Sequence, residues 1–149
     1  GTQVAPFISP RHFREFILPR LKRLYDLAKS HGLYVMQHSC GSVRAFIPDL
    51  ISIGLDVLDP VQVRAAGMDI VGLKRDFGSQ ITLHGSIDTQ RTLPFGTTED
   101  VRNEVLQRLR DVAPGGGLIL CGSQEYTIDI APENIVTIYD TACEVGQRA

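Results

Sequence analysis

The chain has 149 residues, 43% of them hydrophobic and 21% charged, with a formal net charge of -2. That balance fits one globular domain or part of a larger one, and it argues against a nucleic-acid binder, which concentrates positive charge. No apolar run approaches the roughly 20 residues of a membrane span, and no secretory leader opens the sequence. Three cysteines with wide, unequal spacing make no disulfide framework, so the expected compartment is reducing and cytoplasmic.

Gly1 to Phe7 reads as a loop. Ser9-Pro10 starts a helix, with Ser9 at the N-cap and Pro10 at the first helical position. Phe13, Phe16, Ile17, Leu21, Leu24, Leu27 and Ala28 recur at three- and four-residue steps and give it an apolar face. Pro19 should kink this helix, because it lacks a backbone donor and clashes with the preceding turn; Gly32 ends it. Residues 34–37 read as a strand and 43–53 as a helix closed by Gly54. Residues 55–58 form a short strand that Pro60 should stop. Asp69 to Phe77 is a helix ended by Gly78, and residues 81–84 form a β-branched strand running into Gly85-Ser86-Ile87-Asp88. Thr97 or Thr98 caps a long helix through Val112, Gly115 to Gly117 make a turn, and residues 118–121 form the last strand. Pro132 opens a final helix through about Val145.

A helix followed by four strand–helix units predicts a parallel sheet covered by helices. Both a doubly wound open sheet and a (β/α)8 barrel satisfy the pattern. A whole barrel takes about 250 residues, so four units amount to half of one. In either architecture the ligand site lies beyond the carboxyl ends of the strands. Those ends carry His38 and Cys40, then Asp59, then His84, Ser86 and Asp88, and finally Cys121, Ser123, Gln124 and Glu125. On an extended backbone, positions i and i+2 point the same way, so His38 and Cys40 can offer an imidazole and a thiol to one soft metal ion. The plainer alternative is a strand-end histidine beside a small buried thiol. Ser9 is accounted for as a helix cap. Asp59 is read either as the acceptor of a ligand imidazole's proton or as a turn cap, and His84 either as a site residue or as a polar core group. Asp88 is the preferred polar contact in its loop.

Several landmarks, in order, resemble the carboxyl-terminal half of the uroporphyrinogen decarboxylase superfamily. They are Ser9-Pro10, His38-Ser39-Cys40-Gly41, the run Ile53 to Pro60, Leu73 to Gly78, Leu83 to Asp88 and Pro132 to Ile135. The resemblance covers essentially all of the chain. It implies a (β/α)8 TIM barrel of which residues 1–149 form the second half, the N-terminal half being missing from this chain. It also implies one of two chemistries. Decarboxylases of the family remove acetate carboxyls from uroporphyrinogen III, a tetrapyrrole of porphyrin biosynthesis, without a cofactor. Their methyltransferase relatives use zinc to activate a thiol for methyl transfer from a corrinoid protein to coenzyme M or a folate.

The His-x-Cys-Gly run resembles the methyltransferase branch. The zinc ligands implied are His38, Cys40 and Cys121. Asp59, His84 and Asp88 are the implied catalytic side chains, and Ser9 and Gln124 the substrate contacts. The family's functional position in the last loop falls nearer Gln124 than Cys121, so the third ligand is either Cys121 or absent. The expectation is a zinc-dependent methyltransferase-like enzyme. The alternatives are a uroporphyrinogen decarboxylase and a metal-free binding module.

Overall fold

The computed structural model describes residues 1–146. Four parallel strands form one sheet: β1 (Met36–His38), β2 (Val57–Val61), β3 (Thr82–Ile87) and β4 (Leu118–Gly122). They lie in the order β1-β2-β3-β4, each beside the next in sequence. A doubly wound sheet reverses its order at a switch point, whereas a barrel wall steps in one direction. The sequential order is the barrel pattern. The two outer edges, on β1 and β4, have no strand beside them among the described residues.

The first helix keeps its Ser9 cap, whose hydroxyl accepts from the His12 N–H at 3.2 Å. The expected kink at Pro19 takes a specific form. α1 (Pro10–His12) passes through a π-helical turn, Phe13–Ile17, before α2 (Leu18–Ser30) resumes with Pro19 in its first turn. A wider turn accommodates the ring where the missing N–H costs no helical bond. The second predicted helix divides likewise into a 3-10 turn, Arg44–Phe46, and α3 (Ile47–Ser52), which has Pro48 in its first turn. α4 (Ile70–Phe77) is capped by the Asp69 carboxylate on the Gly72 N–H. α5 (Thr92–Phe95) is a short helix that the sequence pattern missed. α6 (Thr98–Val112) opens with a reciprocal Thr97–Asp100 capping box, and α7 (Pro132–Gly146) closes the described chain. No helix among the described residues is long and apolar enough to cross a membrane.

Two strand boundaries differ from expectation. Pro60 does not stop the second strand but lies within β2. The pairing of β2 with β3 is irregular between Leu58 and Val61, so no regular ladder bond is asked of the proline nitrogen. β3 runs three residues past His84, carrying the strand through Gly85 and Ser86.

One face of the sheet is sealed. Leu58 and Leu83 project from it onto Ile47, Ile70 and Leu73 of the helices, and all five are essentially inaccessible. A second cluster, Ile87, Leu93, Val101, Val105, Ile130 and Ile138, holds α5, α6 and α7 together. On the other face Met36 of β1 and Ile119 of β4 remain half exposed. This is the face that a complete barrel turns inward, and it carries the ionisable residues.

Candidate active site

In the strand register His38 stands opposite Asp59, and Ser86 opposite Cys121. Adjacent strands therefore deliver a row of polar side chains to one end of the sheet. The Asp59 carboxylate is the centre of that row. One oxygen binds His38 Nδ1 at 2.7 Å, and the other binds His84 Nδ1 at 2.7 Å. A carboxylate can only accept, so both histidines place their proton on Nδ1 and leave Nε2 with a free lone pair. Each free nitrogen meets a thiol: His38 Nε2 lies 3.2 Å from Cys40 Sγ, and His84 Nε2 lies 3.4 Å from Cys121 Sγ. The result is a continuous array, Cys40–His38–Asp59–His84–Cys121. Each half has the order of thiol, base and orienting carboxylate that generalises the catalytic triad.

The two halves differ in environment. The His38 side chain is 60% exposed, whereas that of His84 is 25% exposed. Burial, with the nearby charge of Asp59 as a second cause, pushes the Cys121 thiol up and keeps it protonated at neutral pH. Cys40 instead accepts a hydrogen bond from the Gln124 side-chain amide at 3.3 Å.

Four members of the array, His38, Asp59, His84 and Cys121, line a cavity of about 320 Å³ together with Gln124, Tyr126 and Tyr139. The tyrosines escaped the sequence reading. Tyr126 accepts from the Gly122 N–H at 3.0 Å and exchanges a hydrogen bond with Tyr139 at 3.1 Å. The only sequence cue for Tyr126 is its place in the loop just beyond β4. A larger groove, about 540 Å³, lies against α6 and is lined by Arg64, Asp88, Glu104 and Arg108. There Arg64 pairs with Asp88 at 2.6 Å and Arg108 with one oxygen of Glu104 at 2.8 Å, while the other Glu104 oxygen is buried with no partner among the described residues. The smaller cavity is the one that gathers the histidine and cysteine side chains of the strand ends.

Two candidates stand elsewhere. Ser9 serves as the cap already described and does not line the cavity. Asp88, read as the preferred polar contact in its loop, lies outside this cavity. Ser86 has φ of +85°, so the alternation breaks there. The Asp88 carboxylate consequently turns to Arg64 and to the backbone N–H groups of Gln90 and Arg91.

Against a metal ion, the donor set fits at two positions. Zinc–nitrogen and zinc–sulfur bonds of about 2.0 and 2.3 Å, at a tetrahedral angle, put two ligand atoms about 3.5 Å apart. His38 Nε2 and Cys40 Sγ stand close to that separation, and Asp59 on Nδ1 is the customary outer partner of a ligating imidazole. Among the described residues, however, no three His, Cys, Asp or Glu side chains gather around one point. Cys121 faces His84, and Gln124 occupies the space beside Cys40.

With this geometry in hand, the family model for uroporphyrinogen decarboxylase (URO-D) matches residues 3–145. The chain belongs to the uroporphyrinogen decarboxylase family. A relative in Pseudoalteromonas translucida (strain TAC 125), named uroporphyrinogen decarboxylase, is 26% identical over 140 residues, covering 85% of this chain and 35% of the relative. A solved methyltransferase from Methanosarcina mazei superposes with a TM-score of 0.75 at 22% identity, covering 93% of this chain and 38% of that one. At that identity the likeness establishes the fold. The chain spans little more than a third of the length of either protein.

Proposed function

We propose that this member of the uroporphyrinogen decarboxylase family is an enzyme of the methyl-transferring kind, activating a thiol or related acceptor for methyl transfer from a corrinoid. The observation that supports this reading is the His38–Cys40 pair, held 3.2 Å apart with Asp59 behind the histidine. His38 and Cys40 would hold a zinc ion, with Cys121 the candidate third ligand. When bound, zinc keeps an incoming thiol ionised near neutral pH, which makes it a better nucleophile.

The chain's own residues have definable parts. Asp59 fixes the His38 tautomer, so that Nε2 presents a lone pair rather than a proton. Gln124 donates to the Cys40 sulfur at 3.3 Å and so holds it beside His38. His84, anchored to the same carboxylate, holds the Cys121 thiol at the cavity wall. Tyr126, tied to the Gly122 N–H and to Tyr139, fixes the loop beyond β4 that carries Gln124.

Elemental analysis of the purified protein tests the reading, together with cobalt(II) substitution, which gives a sulfur-to-metal absorption band. One zinc per chain is expected, lost in His38→Ala and Cys40→Ala while the far-ultraviolet circular dichroism stays unchanged. Methyl transfer from methylcobalamin to a small thiol should be lost with it. Absence of zinc with turnover of uroporphyrinogen III establishes the decarboxylase instead. Absence of zinc and of both activities leaves a metal-free binding module.

A further inference from the structure

We propose that the groove against α6 is a second binding site, which takes a small organic cation carrying N–H donors, an alkylammonium or alkylguanidinium. The groove encloses about 540 Å³, within the range of small-molecule sites, and shares no lining residue with the cavity of the histidines and cysteines. Its walls come from the loop after β2, the start of α4, the segment after β3 and one face of α6.

Glu104 is the residue that asks for a ligand. Its side chain is only 10% exposed, and the donors that reach it all land on one oxygen. Oε1 accepts from Arg108 at 2.8 Å and from the Asp88 N–H at 3.2 Å. Oε2 is buried and has no partner among the described residues. A buried carboxylate oxygen without a donor costs free energy, so the groove favours an occupant that brings one. The neighbouring guanidiniums are already engaged. Arg108 also donates to the Ser86 carbonyl at 3.2 Å, and Arg64 donates to Asp88 at 2.6 Å.

Charge selects the occupant. Four carboxylates, Asp69, Asp88, Asp100 and Glu104, line the groove against two guanidiniums, Arg64 and Arg108, which leaves an excess of two negative charges. That excess repels an anion and attracts a cation. Asp69 and Asp100 each commit one oxygen, Oδ2, to the start of a helix, on the Gly72 and Thr97 N–H groups. A bare metal ion fits poorly, because it needs several ligand atoms around one point, and no three acidic, histidine or cysteine side chains gather so among the described residues. A cation with N–H groups meets both demands, charge for the carboxylates and a donor for Glu104 Oε2. Asp100 and Glu104 stand about 6 Å apart along the axis of α6, so a diamine of that reach can answer both.

Isothermal titration of the purified protein with putrescine, a four-carbon diamine, tests this at pH 7. Saturable binding of one putrescine per chain is expected. Glu104→Gln should weaken it at least tenfold with unchanged circular dichroism. Asp100→Asn, at an exposed position, should weaken putrescine but not butylamine, which carries a single ammonium. Tetramethylammonium has the charge without an N–H and should bind at least tenfold more weakly than butylamine. His38→Ala and Cys40→Ala should bind putrescine as the wild type does, which separates this site from the proposed zinc position. No saturable binding of putrescine at millimolar concentration overturns the inference and gives the Glu104 oxygen to a buried water. Binding that tetramethylammonium matches, or that both Glu104→Gln and Asp100→Asn spare, overturns it too, as does altered binding in His38→Ala or Cys40→Ala.

Discussion

Replacing Asp59 by Asn tests the centre of the site with almost no change of shape. The native carboxylate accepts from His38 Nδ1 and His84 Nδ1, each at 2.7 Å and each on its own oxygen. An Asn side chain has one oxygen and one NH2 group, so it can accept from only one of the two rings. The other ring must turn its Nδ1 into an acceptor, which moves its proton to Nε2 and sets that proton against a thiol. A hydrogen bond involving a charged group contributes about 1.5–3 kcal/mol. His38 is 60% exposed, so water compensates for much of the loss there, and the ring that changes tautomer should be His38. Loss of such an outer partner weakens metal binding by about 10–100-fold, or about 1.4–2.8 kcal/mol. Zinc affinity measured by chelator competition should fall by that factor. Imidazole 15N chemical shifts should show His38 changing from the Nδ1–H to the Nε2–H form. If zinc affinity stays within twofold and the His38 tautomer is unchanged, Asp59 does not orient the ring and the reasoning fails.

Three further outcomes are expected. The thiol of Cys121 is pushed up by burial and by Asp59, so at pH 7.5 iodoacetamide should modify it far more slowly than the exposed Cys143, as read by peptide mass spectrometry. A raised pKa also means that this thiol's contribution to stability is fully present below the ordinary thiol value and is lost as pH rises through the folded value. For Asp56, burial works upward but is outweighed by the hydrogen bonds from Lys29 and the Val35 N–H, which hold the carboxyl below its ordinary value. Its contribution is therefore present above the ordinary carboxylate value and lost as pH falls through the folded one. Urea midpoints of Asp56→Asn should be less sensitive than wild type to the step from pH 6 to pH 3. Leu83 is wholly buried in β3 against the helices, so Leu83→Ala should cost about 2–5 kcal/mol in urea unfolding at pH 7.

The sequence made the rhythm of the fold legible because the longer helices before β4 announce themselves with a cap or a terminating glycine: Ser9, Asp69 and Thr97 at starts, Gly32, Gly54 and Gly78 at ends. It could not distinguish a barrel wall from a doubly wound sheet, since both obey the same alternation and differ only in which strands touch. His38, Cys40, Asp59, His84, Cys121 and Gln124 were each identifiable as strand-end residues with reactive side chains. Their connections were not, because these depend on register across strands 20 to 40 residues apart. The irregular pairing between Leu58 and Val61 shows that no count along the chain sets that register. The direction Asp88 takes, toward Arg64, has a local reason, the positive φ of Ser86, which a serine in a strand-like run gives no warning of. Its partner Arg64 sits in a loop with no signature of its own.

The shared carboxylate also makes the site a gauge of how well the sheet is assembled. His38, Asp59 and His84 come from three neighbouring strands, so all three must be in register before the hydrogen-bonded array exists. A slip of one residue turns every side chain of a strand to the opposite face and removes its member from the row. No partly correct sheet can then carry a partly working site. Selection for chemistry at this carboxylate is at the same time selection for strand alignment, and the irregular stretch of β2 around Pro60 becomes the place where sequence changes are least free.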